Sequence, residues 1–102
     1  MKVAIIAKFN KFKYQEEVSI EQALQNTREM LEGIKEEKEN GVLLEVYGLP
    51  GEDSTMWIYE VASLEALDDL FMNDGDKYLT YELHYLSDFE KVMAAKLEKG
   101  VV

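Results

Sequence analysis

The 102-residue sequence contains no cysteine, a single proline at Pro50 and a single histidine at His84. The lack of cysteine excludes disulfides, thiolate catalysis and cysteine-ligated zinc or iron–sulfur sites. Long apolar runs are also lacking. The opening residues MKVAIIAKF are too short for a membrane span and have no small-residue cleavage site, so they predict a strand instead of a signal peptide. We therefore expect a cytoplasmic protein.

Basic residues are few, since 11 Lys and Arg stand against 21 Asp and Glu and give a formal charge of −10. Such an acidic chain repels the phosphates of nucleic acids and the anionic surface of membranes, so neither is expected as a partner. Hydrophobic residues make up 47% of the chain, as is usual for a folded protein. At this length we predict one domain spanning residues 1–102.

Apolar and alternating segments predict four strands. These cover residues 3–9, 42–49, 55–62 and 78–86. Helical spacing of apolar residues behind the capping serines Ser19, Ser63 and Ser87 predicts three helices. These cover residues 19–39, 63–72 and 87–100, the last ending at Gly100. Gln22 and Glu90 complete predicted capping boxes with Ser19 and Ser87. The polar residues 10–17 are predicted as a loop. Residues 73–76 are predicted as a turn, because their acidic residues lack the spacing of a calcium-binding loop.

The order β-α-β-β-α-β with an added C-terminal helix predicts a ferredoxin-like α+β fold. Its two crossovers place both helices on one face of a four-stranded antiparallel sheet and leave the other face open. If the most apolar sets face the helices, alternation puts on the open face Ala4, Ile6, Lys8, Leu43, Glu45, Tyr47, Thr80, Glu82, His84 and Leu86. Residues 55–62 fit either phase, because both of their alternating sets contain core residues.

The run VLLEVYGLPGEDSTMWIYEVASLEALDDLF, followed by YLTYELHYL, resembles the dimeric α+β barrel superfamily. Within it the chain is similar to small muconolactone-isomerase-like and YCII-like proteins, in which a strand with an acidic end leads into a short helix, as Glu60 to Leu67 does here. The resemblance implies a homodimer packed sheet against sheet around a cavity. Members include isomerases, cofactor-free oxygenases, heme-degrading enzymes and proteins of no known activity, so the resemblance implies no single reaction.

His84 and Glu82 are the candidate catalytic residues. They lie two positions apart on one strand, and therefore on the same side of it. Histidine is the side chain that titrates nearest to neutral pH, so the pair could move a proton at a carbon next to a carbonyl, or take one from a phenol before oxygen attacks. The alternative is that His84 is a hydrogen-bonded residue at a subunit interface or strand edge.

Lys8, Glu45, Tyr47 and Glu60 are the candidate ligand-binding residues, since each falls within a predicted strand. Three carboxylates including Glu82 would converge on Lys8 inside a dimer, and burial there would raise some of their pKa values. The alternative is a network of cross-strand ion pairs at the interface, with the aromatic residues as interface packing.

Two functions follow from these observations. One is a homodimeric small-molecule-binding protein, an isomerase or a cofactor-free oxygenase acting on a small carbonyl or aromatic compound. The other is a non-catalytic structural or regulatory module whose interface is filled by its own side chains. Neither requires a cofactor or a metal, and no motif in the sequence predicts one.

Overall fold

A computed structural model describes residues 1–68 and 77–101. Within those ranges the elements are β1 (Lys2–Phe9), α1 (Lys11–Glu17), α2 (Ile20–Glu39), β2 (Leu43–Leu49), β3 (Ser54–Glu60), α3 (Leu64–Leu67), β4 (Leu79–Tyr85) and α4 (Phe89–Lys99). All four predicted strands are confirmed, with ends shifted by two residues at most. The predicted end of the second helix and the turn after it fall within residues 69–76, outside the described part of the chain.

The strands form one antiparallel sheet in the order β2-β3-β1-β4. Val3, near the start of β1, lies opposite Tyr59 on one side and Tyr85 on the other. Because β1 and β2 are separated by β3, the chain between them must cross over the sheet, and α2 lies in that crossover. The chain is thus a mixed α+β structure, compatible with the predicted ferredoxin-like fold.

The core lies on the face of the sheet that α2 and α3 cover. Its fully or nearly buried members are Val3, Ile5, Leu43, Tyr59, Val61 and Leu67, and Ile34 of α2 packs against them. Burying each of these aliphatic side chains stabilises the fold by roughly 1.5–3 kcal/mol. Those on the strands pair with apolar residues, as Ile5 does with Trp57 and Leu83. Half of these core residues, Val3, Ile5 and Tyr59, lie on the two central strands.

A β-bulge in β2 changes the predicted faces of that strand. The register shifts between Leu43, which lies opposite Tyr59, and Glu45, which lies opposite Ile58. Leu43 is consequently in the core and only 2% exposed, so its predicted position on the open face is wrong. The prediction assumed that side chains alternate without interruption along β2. One extra residue in a bulge moves the side chains before it to the opposite face of the sheet. Glu45 and Tyr47, which follow the bulge, lie on the open face as predicted.

Cross-strand pairing also fixes the phase of β3, which the sequence left open. Trp57 and Tyr59 lie opposite Ile5 and Val3 on the covered face, whereas Met56 and Ile58 lie opposite Ile6 and Ala4 on the open face. The two large aromatic residues therefore belong to the core side.

Residues 10–17 form a helix, where the sequence predicted a loop. The Asn10 side chain accepts a hydrogen bond from the Lys13 amide at 3.1 Å and caps α1. The Tyr14 ring packs edge-on between Phe9 and Tyr78, with centroid distances of 5.2 and 5.1 Å. These contacts hold a seven-residue helix that would be unstable alone. Spacing within the segment could not reveal them, because Tyr78 is distant in sequence.

The long helix α2 begins and ends where the sequence predicts. Ser19 accepts a hydrogen bond from the Gln22 amide at 3.1 Å. The Gln22 side chain donates to Asn26 instead of reaching back to Ser19, so only half of the predicted capping box forms. After the helix, Gly41 adopts φ of 75°. That left-handed conformation suits glycine and ends the helix.

Helix α4 extends away from the sheet. Asp88 caps it by accepting from the Lys91 amide, so the prediction of Ser87 as the cap is wrong by one residue, whereas Gly100 ends the helix as predicted. Every residue of α4 is exposed. The radius of gyration is 17.0 Å and the extents are 59 × 29 × 22 Å, whereas a compact chain of this length would have a radius near 13 Å. Among the helices in the described ranges, none is both long enough and apolar enough to cross a bilayer.

Candidate functional site

The side of the sheet opposite α2 and α3 is here called the open face. Its residues follow from the cross-strand register. They are Ala4, Ile6 and Lys8 of β1, Glu45, Tyr47 and Leu49 of β2, Met56, Ile58 and Glu60 of β3, and Thr80, Glu82 and His84 of β4. No described helix lies over this face; Ala4 is buried by its neighbours on the sheet, and the other side chains on the face are half-buried or exposed.

His84 and Glu82 are together on the open face, as predicted. The His84 Nε2 atom lies 3.4 Å from the Glu82 Oε2 atom, and the two side chains are 48% and 63% exposed. This separation is longer than a good hydrogen bond, and such contacts in ligand-free sites commonly tighten when a ligand binds. The carboxylate is placed to orient the imidazole.

Small and apolar residues of β1 lie beside this pair. His84 is opposite Ala4, and Glu82 is opposite Ile6. Lys8 is opposite Thr80, one diagonal step from Glu82, a spacing of about 7–8 Å. The β1–β4 half of the open face therefore groups one imidazole, one carboxylate and one ammonium around a short apolar floor.

A shallow depression lies in this half of the face. Its volume is about 290 Å³, and its lining consists of Ile6, Lys8, Thr80, Tyr81 and Glu82. It is open to solvent on one side. Ligand pockets usually bury most of a ligand's surface, so a second surface would have to close this depression for it to hold a small molecule firmly.

The other predicted ligand-binding residues do not join this group within one chain. Glu45 and Tyr47 lie on β2, three strand spacings from β4, or about 14 Å. Glu45 is 3.8 Å from the Lys38 Nζ atom. Glu60 contacts the Met1 ammonium at 3.1 Å. Within one chain these carboxylates therefore lie apart, and their convergence on Lys8 inside a dimer stays a prediction.

Sequence reasoning missed the apolar centre of the open face. Met56 and Ile58 lie half-buried between β1 and β2 and continue the floor formed by Ala4 and Ile6. The aromatic pattern of β3 held a usable signal, because Trp57 and Tyr59 need more core volume than Met56 and Ile58. Only pairing with β1 makes that choice certain.

Two carboxylates away from the open face have perturbed pKa values. Hydrogen bonds from Lys77 and then from the Tyr78 hydroxyl, at 2.8 and 2.7 Å, lower the pKa of Glu17. Partial burial raises the pKa of Glu37, and donation by the Tyr59 hydroxyl at 3.4 Å opposes that shift. Both carboxylates tie a helix to a strand, so their role is structural.

No cluster of three or more potential metal ligands occurs in residues 1–68 and 77–101. No protein-family model matches the chain, and none of the curated proteins matches its sequence. Among the described residues, the open face is therefore the feature from which a function can be inferred.

Proposed function

We propose that this protein is a homodimer in which two open faces enclose a small-molecule cavity, and that His84 and Glu82 transfer a proton within a bound carbonyl compound. The observation that carries the proposal is the His84–Glu82 contact of 3.4 Å on an uncovered sheet face, beside a depression of about 290 Å³.

The chemistry follows from the two side chains. With its Nε2 hydrogen directed at Glu82, neutral His84 presents Nδ1 as a base to a carbon acid next to a carbonyl. The imidazolium that forms is stabilised by the Glu82 carboxylate, and it returns the proton to another carbon of the same molecule. Lys8 lies opposite Thr80, four residues along β4 from His84 or about 13 Å, so its ammonium would bind an anionic group at the far end of the substrate. The product is an isomer, so no external oxidant or reductant is required.

The second subunit supplies what one chain lacks. A partner's open face would cover the depression, exclude water and strengthen these electrostatic interactions. The half-buried residues Ile6, Met56 and Ile58 give that contact an apolar centre, and charged residues surround it, as in protein interfaces generally. This arrangement agrees with the assembly that the resemblance to dimeric α+β barrels implies.

The test uses the single histidine. Ring-proton NMR signals of His84 are followed while small dicarbonyl and aromatic compounds are added one at a time. We expect at least one compound to shift these signals saturably, and Glu82→Gln to weaken that response. Glu52→Gln, in the hairpin between β2 and β3, serves as the control. If no compound perturbs His84 at millimolar concentration, the small-molecule proposal is wrong.

A filled interface is the second candidate, because the apolar residues at the centre of the open face suit direct packing. Ala4→Leu separates the two candidates. Ala4 lies between His84 and Ile58 at the centre of the face. Over a cavity, the larger side chain would leave the dimer intact and block ligands. In a filled interface it would clash with the partner and lower the dimer mass measured by light scattering.

A further inference from the structure

Helix α4 has an apolar side that is largely exposed in the described part of the chain. Phe89, Val92, Met93 and Leu97 recur at helical spacing and form one stripe. Leu97 is 78% exposed and Phe89 is 72% exposed. A stripe of this kind on a helix is typical of a surface that packs against another protein.

Helix α2 has an uncovered stripe as well. Its last turns meet the sheet through Ile34, which packs on the core, and Glu37, which accepts from Tyr59. Towards its start, Ile20, Leu24 and Leu31 recur at the spacing of one helical face and remain exposed, Ile20 by 82%. Only part of this amphipathic helix is therefore used by its own sheet.

The chain's own α4 is badly placed to cover the start of α2. The last residues of β4 lie in the same row of the sheet as Leu43, which follows the end of α2. Ile20 is at the other end of a 20-residue helix, about 30 Å away. Only residues 86–88 connect β4 to α4, and the Leu86 amide is still bonded to the Lys2 carbonyl. The α4 of the same chain is therefore not the partner of the α2 stripe.

The two stripes are similar in length, and the two helices that carry them are opposite in net charge. Eleven residues separate Ile20 from Leu31 and eight separate Phe89 from Leu97, which correspond to about 16 and 12 Å of helix. Helix α2 carries six glutamates against three basic residues, whereas α4 carries three lysines against two glutamates. In a chain with a net charge of −10, α4 is one of the few surfaces that an acidic helix would attract.

We infer that α4 of one copy packs on the Ile20–Leu24–Leu31 stripe of a second copy, and that α2 receives the second copy's α4 in return. Each of the seven exposed side chains in the two stripes offers roughly 100 Å², about half of what a large buried aromatic covers. Over two copies the contact reaches on the order of 1,400 Å², within the range of stable interfaces. The exchange is symmetric, so it closes into a dimer.

This helix-exchange interface lies away from the open face and does not depend on the proposed function. If both contacts form, they join four chains of 11.8 kDa each; either contact alone joins two. Leu97→Asp removes only the helix contact, and Ile58→Asp removes only the sheet contact. Light scattering of the four proteins, the wild type, each variant and the double variant, therefore reports separately on the two proposals.

Crosslinking through introduced cysteines tests the helix contact directly, because the native sequence has no cysteine that could also react. Leu24→Cys and Leu97→Cys proteins are mixed and treated with a short bifunctional maleimide. We expect crosslinked peptides that join residue 24 of one chain to residue 97 of another. We also expect Leu24→Asp and Leu97→Asp each to halve the mass of the assembly.

Matched controls lie on the same two helices. Glu98→Gln is next to Leu97 on the polar side of α4, and Gln25→Ala is next to Leu24 on the polar side of α2. Neither is expected to change the mass. The inference is overturned if Leu97→Asp leaves the mass of the wild type unchanged, or if the wild type is a monomer. It is also overturned if Leu97→Cys chains crosslink only with each other, since that result indicates pairing of α4 with α4.

Discussion

Ile5 and Ile6 are adjacent in the central strand β1 and point to opposite sides of the sheet, which makes them a sharp test of the fold. Ile5 is 1% exposed in the core, whereas Ile6 is half-buried on the open face. Both variants exchange isoleucine for alanine in the same central strand, so the difference between them reports how each face of the strand is packed. Ile5→Ala removes buried methyl groups and leaves a cavity, which costs about 2–5 kcal/mol.

Ile6→Ala is expected to cost only about 1 kcal/mol in the isolated chain, because much of the side chain is already in contact with water. A domain of this size is stable by roughly 5–15 kcal/mol, so the Ile5 variant loses a large share of its stability. Urea unfolding followed by circular dichroism gives both values, provided that the slope of the transition stays constant between variants.

Protein concentration then separates folding from assembly. If the open face is covered by a second chain, the unfolding midpoint of the wild type rises with concentration. In a Leu97→Asp background, which removes the helix contact, the Ile6 variant would lose that dependence, while the Ile5 variant would keep it. Equal losses for the two variants at low concentration, or a larger loss for Ile6→Ala, would show that the assignment of faces along β1 is wrong.

Three further predictions concern single contacts. Burial raises the folded-state pKa of Glu37, so ionisation of this carboxyl opposes folding. The neutral carboxyl contributes its full stability below about pH 4.5, and this contribution is lost as the pH rises through the folded-state pKa. Glu37→Gln is therefore expected to raise the free energy of unfolding at pH 7 by less than ~1 kcal/mol, since the side chain is only partly buried and solvent screens its charge. The gain should vanish near pH 4, and Glu39→Gln should leave the denaturation curve unchanged. Lys77→Ala is expected to raise the pKa of Glu17 in a carbon-detected NMR titration, because the hydrogen bond from Lys77 is the largest cause of the lowered pKa. Lys13→Ala should raise this pKa less. A larger effect of Lys13→Ala would show that Lys77 is not the main partner of Glu17. Gly33→Ala is expected to stabilise α2 by about 0.5–1 kcal/mol, since an added Cβ meets no atom within 4 Å. Gly41→Ala is expected to destabilise the protein by about 1–2 kcal/mol, because Gly41 has a left-handed φ. Thermal melts in which both variants change the melting temperature in the same direction would refute this.

Much of the fold could be predicted because local signals agreed with it. The serine caps at Ser19 and Ser63 mark the helix starts, and both accept the expected backbone hydrogen bonds. Strand positions followed from alternation. The same reasoning predicted that His84 and Glu82 share a face, since residues two apart on a strand always do.

The errors arose where distant residues decide local structure. Helix α1 depends on Tyr14 packing against Tyr78, and the phase of β3 depends on its pairing with β1. Neither contact is visible in a short window of sequence. Likewise, Glu45 and Glu60 are in the predicted strands but find partners in Lys38 and the Met1 ammonium. Membership of a strand did not indicate which side chains converge.

The bulge between Leu43 and Glu45 has a consequence for the edges of the sheet. β2 is an edge strand, and its outer backbone groups would otherwise offer a straight template to another strand. A bulge increases local twist and breaks the regular spacing of those groups, so β2 is protected against adding strands from other molecules. The opposite edge, β4, pairs regularly over seven residues and has no such break. Unwanted fibrillar aggregation of this protein would accordingly begin at β4.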